Sequence, residues 1–179
     1  MRFFSGRGDE GKTSLMDGKP RLKSEEIFNL IGTLDEITAQ IGMALSFSKD
    51  QVFKQDLCHI QKTLSLLMGL LSKGSQKIEI QSPDLLEAIN WLEGRIEHYG
   101  SANRDVSGFV FPGETRLGAC LDVCRTVTRR AERVAVRFVQ NGGKPGLNTL
   151  AFLNRLSSLF FIMRLAADSP DFRTDSVTP

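Results

Sequence analysis

The sequence predicts an all-α protein, a bundle of about five helices, and three observations carry that expectation. Apolar residues recur at three- and four-residue spacing over five separate stretches, the period of a helix that buries one face. Glycine, proline or short polar clusters close each stretch. No segment insists on being a strand, and the short connections imply antiparallel neighbours.

Residues 1–24 are rich in Gly, Ser and Lys without a sustained period, and read as an ordered loop or a floppy tail. From Ser24, as a cap, the series Ile27, Leu30, Ile31, Leu34, Ile37, Ile41, Ala44 and Leu45 predicts the first helix, broken at Ser48 to Asp50. Phe53, Leu57, Ile60, Leu64, Leu67, Met68 and Leu71 set out the second, which stops near Gly74. Ser82 as N-cap with Pro83 at the first position starts the third; Leu85, Ile89, Leu92, Ile96 and Tyr99 form its stripe, and Gly100 ends it. A polar loop over 101–113 closes on Phe109-Val110-Phe111 and the turn Pro112-Gly113. The fourth helix runs roughly from Glu114 to Val139 and is ended by NGGKPG. The fifth begins near Leu147 and is apolar nearly all round through Ala166, which predicts a central place or a subunit interface. Asn154 and Arg155 are polar exceptions in it, and residues 168–179 read as a flexible tail after a helical domain over 25–167.

The fourth helix holds the most information. Cys120, Cys124, Val127, Ala131, Val134 and Phe138 share one apolar stripe, while Arg125, Arg129 and Arg133 lie opposite, with Arg130 and Arg137 on a flank. Like charges four apart repel by about 0.2–0.5 kcal/mol per pair. A solvated polar face therefore competes with a face built to meet an anion. Arginine favours the second reading, because its planar fork binds carboxylate and phosphate oxygens in pairs.

The 179 residues suffice for one domain with a sizeable core, and a hydrophobic fraction of 41% with 25% charged residues is ordinary for a soluble protein. A net charge of +2 gives no general attraction to nucleic acid or membrane, so any basic surface is local. No apolar run reads as membrane-spanning, and MRFFSGRG lacks the apolar region of a signal peptide. Cys58, Cys120 and Cys124 each fall at a helical core spacing, which predicts buried thiols in a reducing cytoplasm. His59 and His98 have no ligand or nucleophile nearby in sequence, which argues against a protein-held zinc or a Ser–His hydrolase.

Gly6 to Thr13, GRGDEGKT, satisfies the G-x-x-x-x-G-K-[ST] phosphate-loop pattern. That pattern needs a preceding strand and a following helix, and SLMDGKPRL carries Gly and Pro where the helix would run, so a P-loop NTPase fold is rejected. The residue types can still cradle a polyphosphate: glycines let backbone amides approach, and Arg7, Lys12, Lys19, Lys23, Thr13 and Ser14 supply charge and hydroxyls. A flexible terminus that binds nothing is the competing reading.

The glycine loop, GTLDE, FVFPGE, RTVTRRAER and FLNRLS, in this order, make the chain resemble the PduO-type ATP:cob(I)alamin adenosyltransferases from Phe4 to about Ala166. The resemblance implies a ferritin-like five-helix bundle that forms homotrimers with active sites between subunits. It implies that Ser5, Gly6, Arg7, Gly8, Thr13, Ser14 and Lys23 grip ATP together with Arg129, Arg130, Glu132, Arg133 and Asn154. It implies that Asp35 pairs with Arg125 and that Phe109 crowds the lower face of the corrin and excludes its axial ligand. The implied substrates are ATP with Mg²⁺ and cob(I)alamin or another corrinoid; the implied reaction is attack of cobalt(I) on the 5′ carbon with loss of triphosphate. A reductase or a cobalamin-dependent enzyme would be a further partner, in the cytoplasm.

The chain departs from the family pattern at Glu25-Glu26-Ile27, where a Pro-Arg pair is usual, and at Thr38, Glu114 and Ser158. An ATP or corrinoid carrier or sensor without turnover is the alternative. A helical interaction protein whose arginine face meets an acidic partner or RNA is a third reading, with little aromatic interleaving to support it.

Overall fold

The computed structural model describes residues 6, 8–74, 83–101 and 108–169. Within them the chain forms a hairpin of β1 (Lys12–Ser14) and β2 (Pro20–Leu22), then five helices: α1 (Glu26–Phe47), α2 (Gln51–Ser72), α3 (Pro83–Ser101), α4 (Arg116–Gln140) and α5 (Leu147–Asp168). The helices are those the periodicity predicts, with ends shifted by a residue or two. α4 packs between α1 and α5; α2 covers α1, and α3 covers α5. Arg95 and Tyr99 of α3 meet Asp56 of α2, so α2 and α3 touch as well. The core lies inside this arrangement, where Leu34, Ile37, Leu57, Leu64, Cys124, Ala131, Leu156 and Phe160 are out of contact with water.

Each helix start has a local cause. The Asp50 carboxylate accepts the Phe53 N–H at the head of α2, and the Thr115 hydroxyl accepts the Gly118 N–H at the head of α4. α1 departs from expectation: Glu25, not Ser24, is its N-cap, and it makes no side-chain cap bond. Ser82, the predicted cap of α3, lies outside the described residues.

Four other expectations are corrected. The N-terminal segment contains strands, paired antiparallel with Thr13 opposite Arg21. Its turn forms because Gly18 takes φ +70° and Asp17 accepts from the Lys19 N–H and from Arg21. Leu15 inserts into the core and the Met16 N–H donates to Ser72 O at 2.8 Å, pinning the hairpin to the end of α2. Cys58 is exposed rather than buried, since it sits one residue past the core stripe at Leu57; Cys120 and Cys124 are buried as expected. Asp168 is the last residue of α5 and accepts two hydrogen bonds from Thr115, so it belongs to the bundle rather than to a tail; residues 170–179 lie outside the described ones.

The last correction concerns Asn148–Asp168, which is long and apolar enough by composition to cross a membrane. Phe152, Leu153, Leu156, Leu159, Phe160 and Met163 of that helix are buried against α3 and α4, so its hydrophobicity is consumed by the core.

Candidate active site

The arginine face of α4 is exposed beside α5, and the two helices enclose an open groove of about 390 Å³. Arg125 and Arg129 line one side; Ser157, Ser158, Phe161 and Ile162 of α5 line the other. A pocket of this size suits a small molecule. The two guanidiniums offer donors to an anion and Phe161 and Ile162 supply an apolar wall, while the Ser157 and Ser158 hydroxyls donate to the Asn154 carbonyl one turn back.

The repulsion expected along α4 is answered by carboxylates. Arg125 Nε lies 2.7 Å from Asp122 Oδ1, and Arg129 Nη1 lies 2.9 Å from Glu132 Oε2. Arg130 pairs with Glu36 of α1, and Arg133 is exposed with no ion pair among the described residues. Glu132 also accepts from Asn154 Nδ2 of α5 at 3.1 Å. Asn154 Oδ1 in turn accepts from Arg155, which pairs with Glu93 of α3 at 2.7 Å. A continuous polar chain therefore runs from Arg129 across α5 to α3. Asn154 and Arg155, the two exceptions in an apolar helix, are explained: both project onto this strip and neither is buried.

The structure brings Arg125 and Arg129 together in the groove and joins Arg129, Glu132 and Asn154 by hydrogen bonds. It does not join Asp35 to Arg125 within one chain. Asp35 is exposed on α1 with no ion pair among the described residues, and Arg125 reaches Asp122 one turn back on its own helix. Sequence reasoning missed Ser157, Phe161 and Ile162 as groove residues. Their signal was the stacking of Ser157 with Phe161 and of Ser158 with Ile162 at four-residue spacing, hidden by the apolar character of the whole helix.

The described part of the N-terminal loop is held by its own bonds. Lys23 Nζ donates to Gly8 O at 2.7 Å, and the Lys23 N–H donates to Gly11 O at 2.9 Å, folding the glycine segment over the hairpin. A Cβ at Gly8 would lie 2.8 Å from Lys23 Nζ, so a larger residue there would push the lysine tip aside. Gly6 takes φ +71°, Thr13 is half-buried, and Ser14 is exposed in β1; Ser5 and Arg7 lie outside the described residues. Among the described residues no hydrogen bond or ion pair links this loop to Arg125, Arg129, Arg130 or Arg133. The loop precedes α1, whose Glu26 accepts from Asn141 at the end of α4. Asn141 follows Arg129 by twelve residues, a rise of about 18 Å along the helix.

At the other end of α4, Phe109 is 83% exposed and Phe111 78%. Their rings meet edge to face at a centroid distance of 5.1 Å. Two bare aromatic rings on one turn are costly to leave in water and mark a surface that meets an apolar partner. The turn is held through the Phe111 carbonyl, which accepts from Arg164. Arg164 follows the groove residue Phe161 by three positions, a rise of about 4.5 Å.

Residues 3–167 match the profile of a family described as cobalamin adenosyltransferase. This chain belongs to the cobalamin adenosyltransferase family. Among its relatives, the human corrinoid adenosyltransferase MMAB is 32% identical over 93% of this chain and 69% of its own length. The Bacillus subtilis corrinoid adenosyltransferase is 31% identical over 90% and 83%. A variant of the PduO-type ATP:co(I)rrinoid adenosyltransferase from Lactobacillus reuteri, solved with ATP, superposes with a TM-score of 0.81 at 30% identity, covering 93% of this chain and 94% of that one. A further variant, solved with cobalamin and ATP, also gives 0.81, at 28% identity over 93% and 91%. The five-helix bundle of this adenosyltransferase is thus the fold of the family.

Proposed function

We propose that the chain transfers the 5′-deoxyadenosyl group of ATP to the cobalt of cob(I)alamin or a related corrinoid, with the α4–α5 groove and the Phe109 turn as parts of one site. The observation that carries the reading is the pair of guanidiniums, Arg125 and Arg129, on a groove whose end lies within one helical turn of the anchor of that turn. The cobalt(I) lone pair forms the Co–C5′ bond, the C5′–O bond breaks, and triphosphate leaves with the electron pair. Developing charge on the leaving oxygen is what a preorganised arginine cluster stabilises. No side chain need act as nucleophile or base; the protein's task is to align the two substrates.

In this reading Arg129, Arg130 and Arg133 hold phosphate or ribose, Glu132 and Asn154 fix the direction of Arg129, and Phe109 covers the lower face of the corrin. Residues 1–24, with Ser5, Gly6, Arg7, Gly8, Thr13, Ser14 and Lys23, close over the triphosphate. That no bond links the described part of that loop to the α4 arginines supports a site completed by a neighbouring subunit, as in a trimer, with Asp35 of one copy facing Arg125 of the next. Mg²⁺ would be held by phosphate oxygens, the hard anionic ligands it prefers. Unpaired cysteines suit a reducing cytoplasm, where a reductase can supply the cobalt(I) state.

The test is anaerobic mixing with chemically reduced cob(I)alamin and Mg-ATP, following loss of the cobalt(I) absorption band and release of triphosphate. Adenosylcobalamin formation that disappears in Arg129→Ala supports the reading. Binding of ATP or corrinoid without turnover would replace it with a carrier or sensor.

A further inference from the structure

At the ends of α4 and α5 a buried polar cluster has no part in the chemistry described above. Arg164 is 1% exposed, a desolvation cost that a guanidinium bears only when it is paired. Its Nε lies 3.0 Å from Asp168 Oδ2, and it donates to the carbonyl of Phe111. Asp168 Oδ1 accepts from the Thr115 N–H at 3.1 Å and from the Thr115 hydroxyl at 2.7 Å. That hydroxyl also caps α4 by accepting from the Gly118 N–H at 2.9 Å. Gly118 makes room for the arrangement: a Cβ there would collide with Asp168 Oδ1. Both ends of the segment from Phe111 to Thr115 are therefore tied to α5 by one ion pair, while the side chains of Phe109 and Phe111 remain exposed.

We infer that Arg164 and Asp168, with the space left by Gly118, form a clamp that sets the position of the Phe109–Phe111 turn, and are positioning residues for the corrinoid half of the reaction. The inference rests on the reading that Phe109 meets the corrin, and adds residues to it that touch neither substrate. A bundle needing only stability at this point would be served by apolar packing, because a buried ion pair is often no more stabilising than hydrophobic residues of the same volume. What the pair adds is direction, since a guanidinium bound to a carbonyl fixes the loop backbone in a way a leucine cannot. Arg164 holds Phe111 through its carbonyl and not through its ring, which stays exposed with that of Phe109.

The experiment uses the full-length protein with ATP and cob(II)alamin, whose electron paramagnetic resonance spectrum shows by its nitrogen splitting whether the lower axial ligand is on the cobalt. Phe109→Ala is the reference variant; Asp168→Asn, Arg164→Lys and Gly118→Ala loosen the clamp without touching the turn's own side chains. Asp168→Asn keeps the size of the group, and Gly118→Ala removes no polar atom, so folded protein is expected from at least these two. The expected result is that the clamp variants retain axial nitrogen on bound cob(II)alamin, as Phe109→Ala does. Their turnover with cob(I)alamin falls by about tenfold to a hundredfold, the effect of a small misplacement remote from the reacting atoms. KM for ATP stays within about twofold, and Arg164→Lys loses less than Asp168→Asn because a cation remains beside Asp168. A lowered melting temperature with a wild-type spectrum and turnover in the folded fraction would make the cluster merely structural and overturn the inference. If Phe109→Ala itself left the spectrum unchanged, the corrin reading would fall first, and the clamp's role with it.

Discussion

Asn154 of α5 donates its Nδ2 to Glu132 Oε1 of α4 at 3.1 Å, and the other oxygen of Glu132 lies 2.9 Å from Arg129. One carboxylate thus takes its direction from α5 and passes it to a guanidinium on the groove. Glu132 is largely shielded while Arg129 is half exposed, so the carboxylate is the fixed member of the pair and the arginine the one free to engage an anion.

Glu132→Gln is accordingly expected to weaken ATP binding more than it weakens the fold. The amide keeps the shape of the side chain but loses the charge that aligns Arg129. A partly exposed pair of this kind contributes on the order of 1 kcal/mol, which corresponds to about fivefold in affinity. Calorimetric titration with Mg-ATP beside thermal melting checks it: a large drop in melting temperature with unchanged affinity would assign Glu132 to the fold alone.

Arg129→Ala removes the donor itself. It points away from the apolar stripe of Cys124, Val127 and Ala131, so helix content is expected to be unchanged. ATP affinity is expected to fall about tenfold, the lower end of what a charge-assisted contact supplies, given the exposure of the site. Equal affinity in the variant would move the nucleotide elsewhere.

The five helices were legible because each buries one face against a neighbour, and a period of three to four residues records that directly. The hairpin was not. Its strands have three residues each, too few for alternation, and what holds it is the remote Ser72 carbonyl and a pocket for Leu15. The site was legible in part: arginines facing away from a core stripe announce themselves, whereas Ser157 and Phe161 become groove residues only once α5 lies beside α4. Cys58 and Asp168 were misread for one reason. A residue at the edge of a stripe or the end of a helix is decided by its tertiary neighbours, which for Asp168 is Thr115, fifty-three positions away.

Asp35 offers a test of assembly. It is exposed and has no ion pair among the described residues, so Asp35→Asn is expected to leave the melting of an isolated subunit unaltered. If it faces Arg125 across a subunit boundary, the variant loses trimer in sedimentation at micromolar concentration and loses turnover with it. Arg125 would retain Asp122 as its partner, and for that reason the loss in Asp35→Asn should be milder than in Arg125→Ala. A variant that sediments and turns over as wild type would remove Asp35 from the interface.

Alkaline pH should destabilise this protein through buried groups, of which Cys124 and Tyr99 shift most; burial raises Cys120 as well. Burial, reinforced by the neighbouring Cys120, pushes the Cys124 thiol from its ordinary 9.0 up to about 12. Burial also holds the Tyr99 hydroxyl well above its ordinary 10.0, with the hydrogen bond to Asp56 acting in the same direction against the opposing Arg95. Both are raised shifts, so the native state keeps protons that the denatured chain releases. Their contribution is fully present below the denatured-state values and is lost as pH rises, beginning near 9.0 for Cys124 and near 10.0 for Tyr99. Urea midpoints are therefore expected to be level with respect to these groups below about pH 8 and to fall steadily between about pH 9 and pH 11. Cys124→Ala should lower the midpoint at every pH through the cavity it leaves, yet shallow the alkaline slope, because one of the retained protons is gone. A slope unchanged in that variant would mean that Cys124 titrates alike in the folded and unfolded chains, and the decline would then belong to Tyr99, with its link between α2 and α3, and to Cys120.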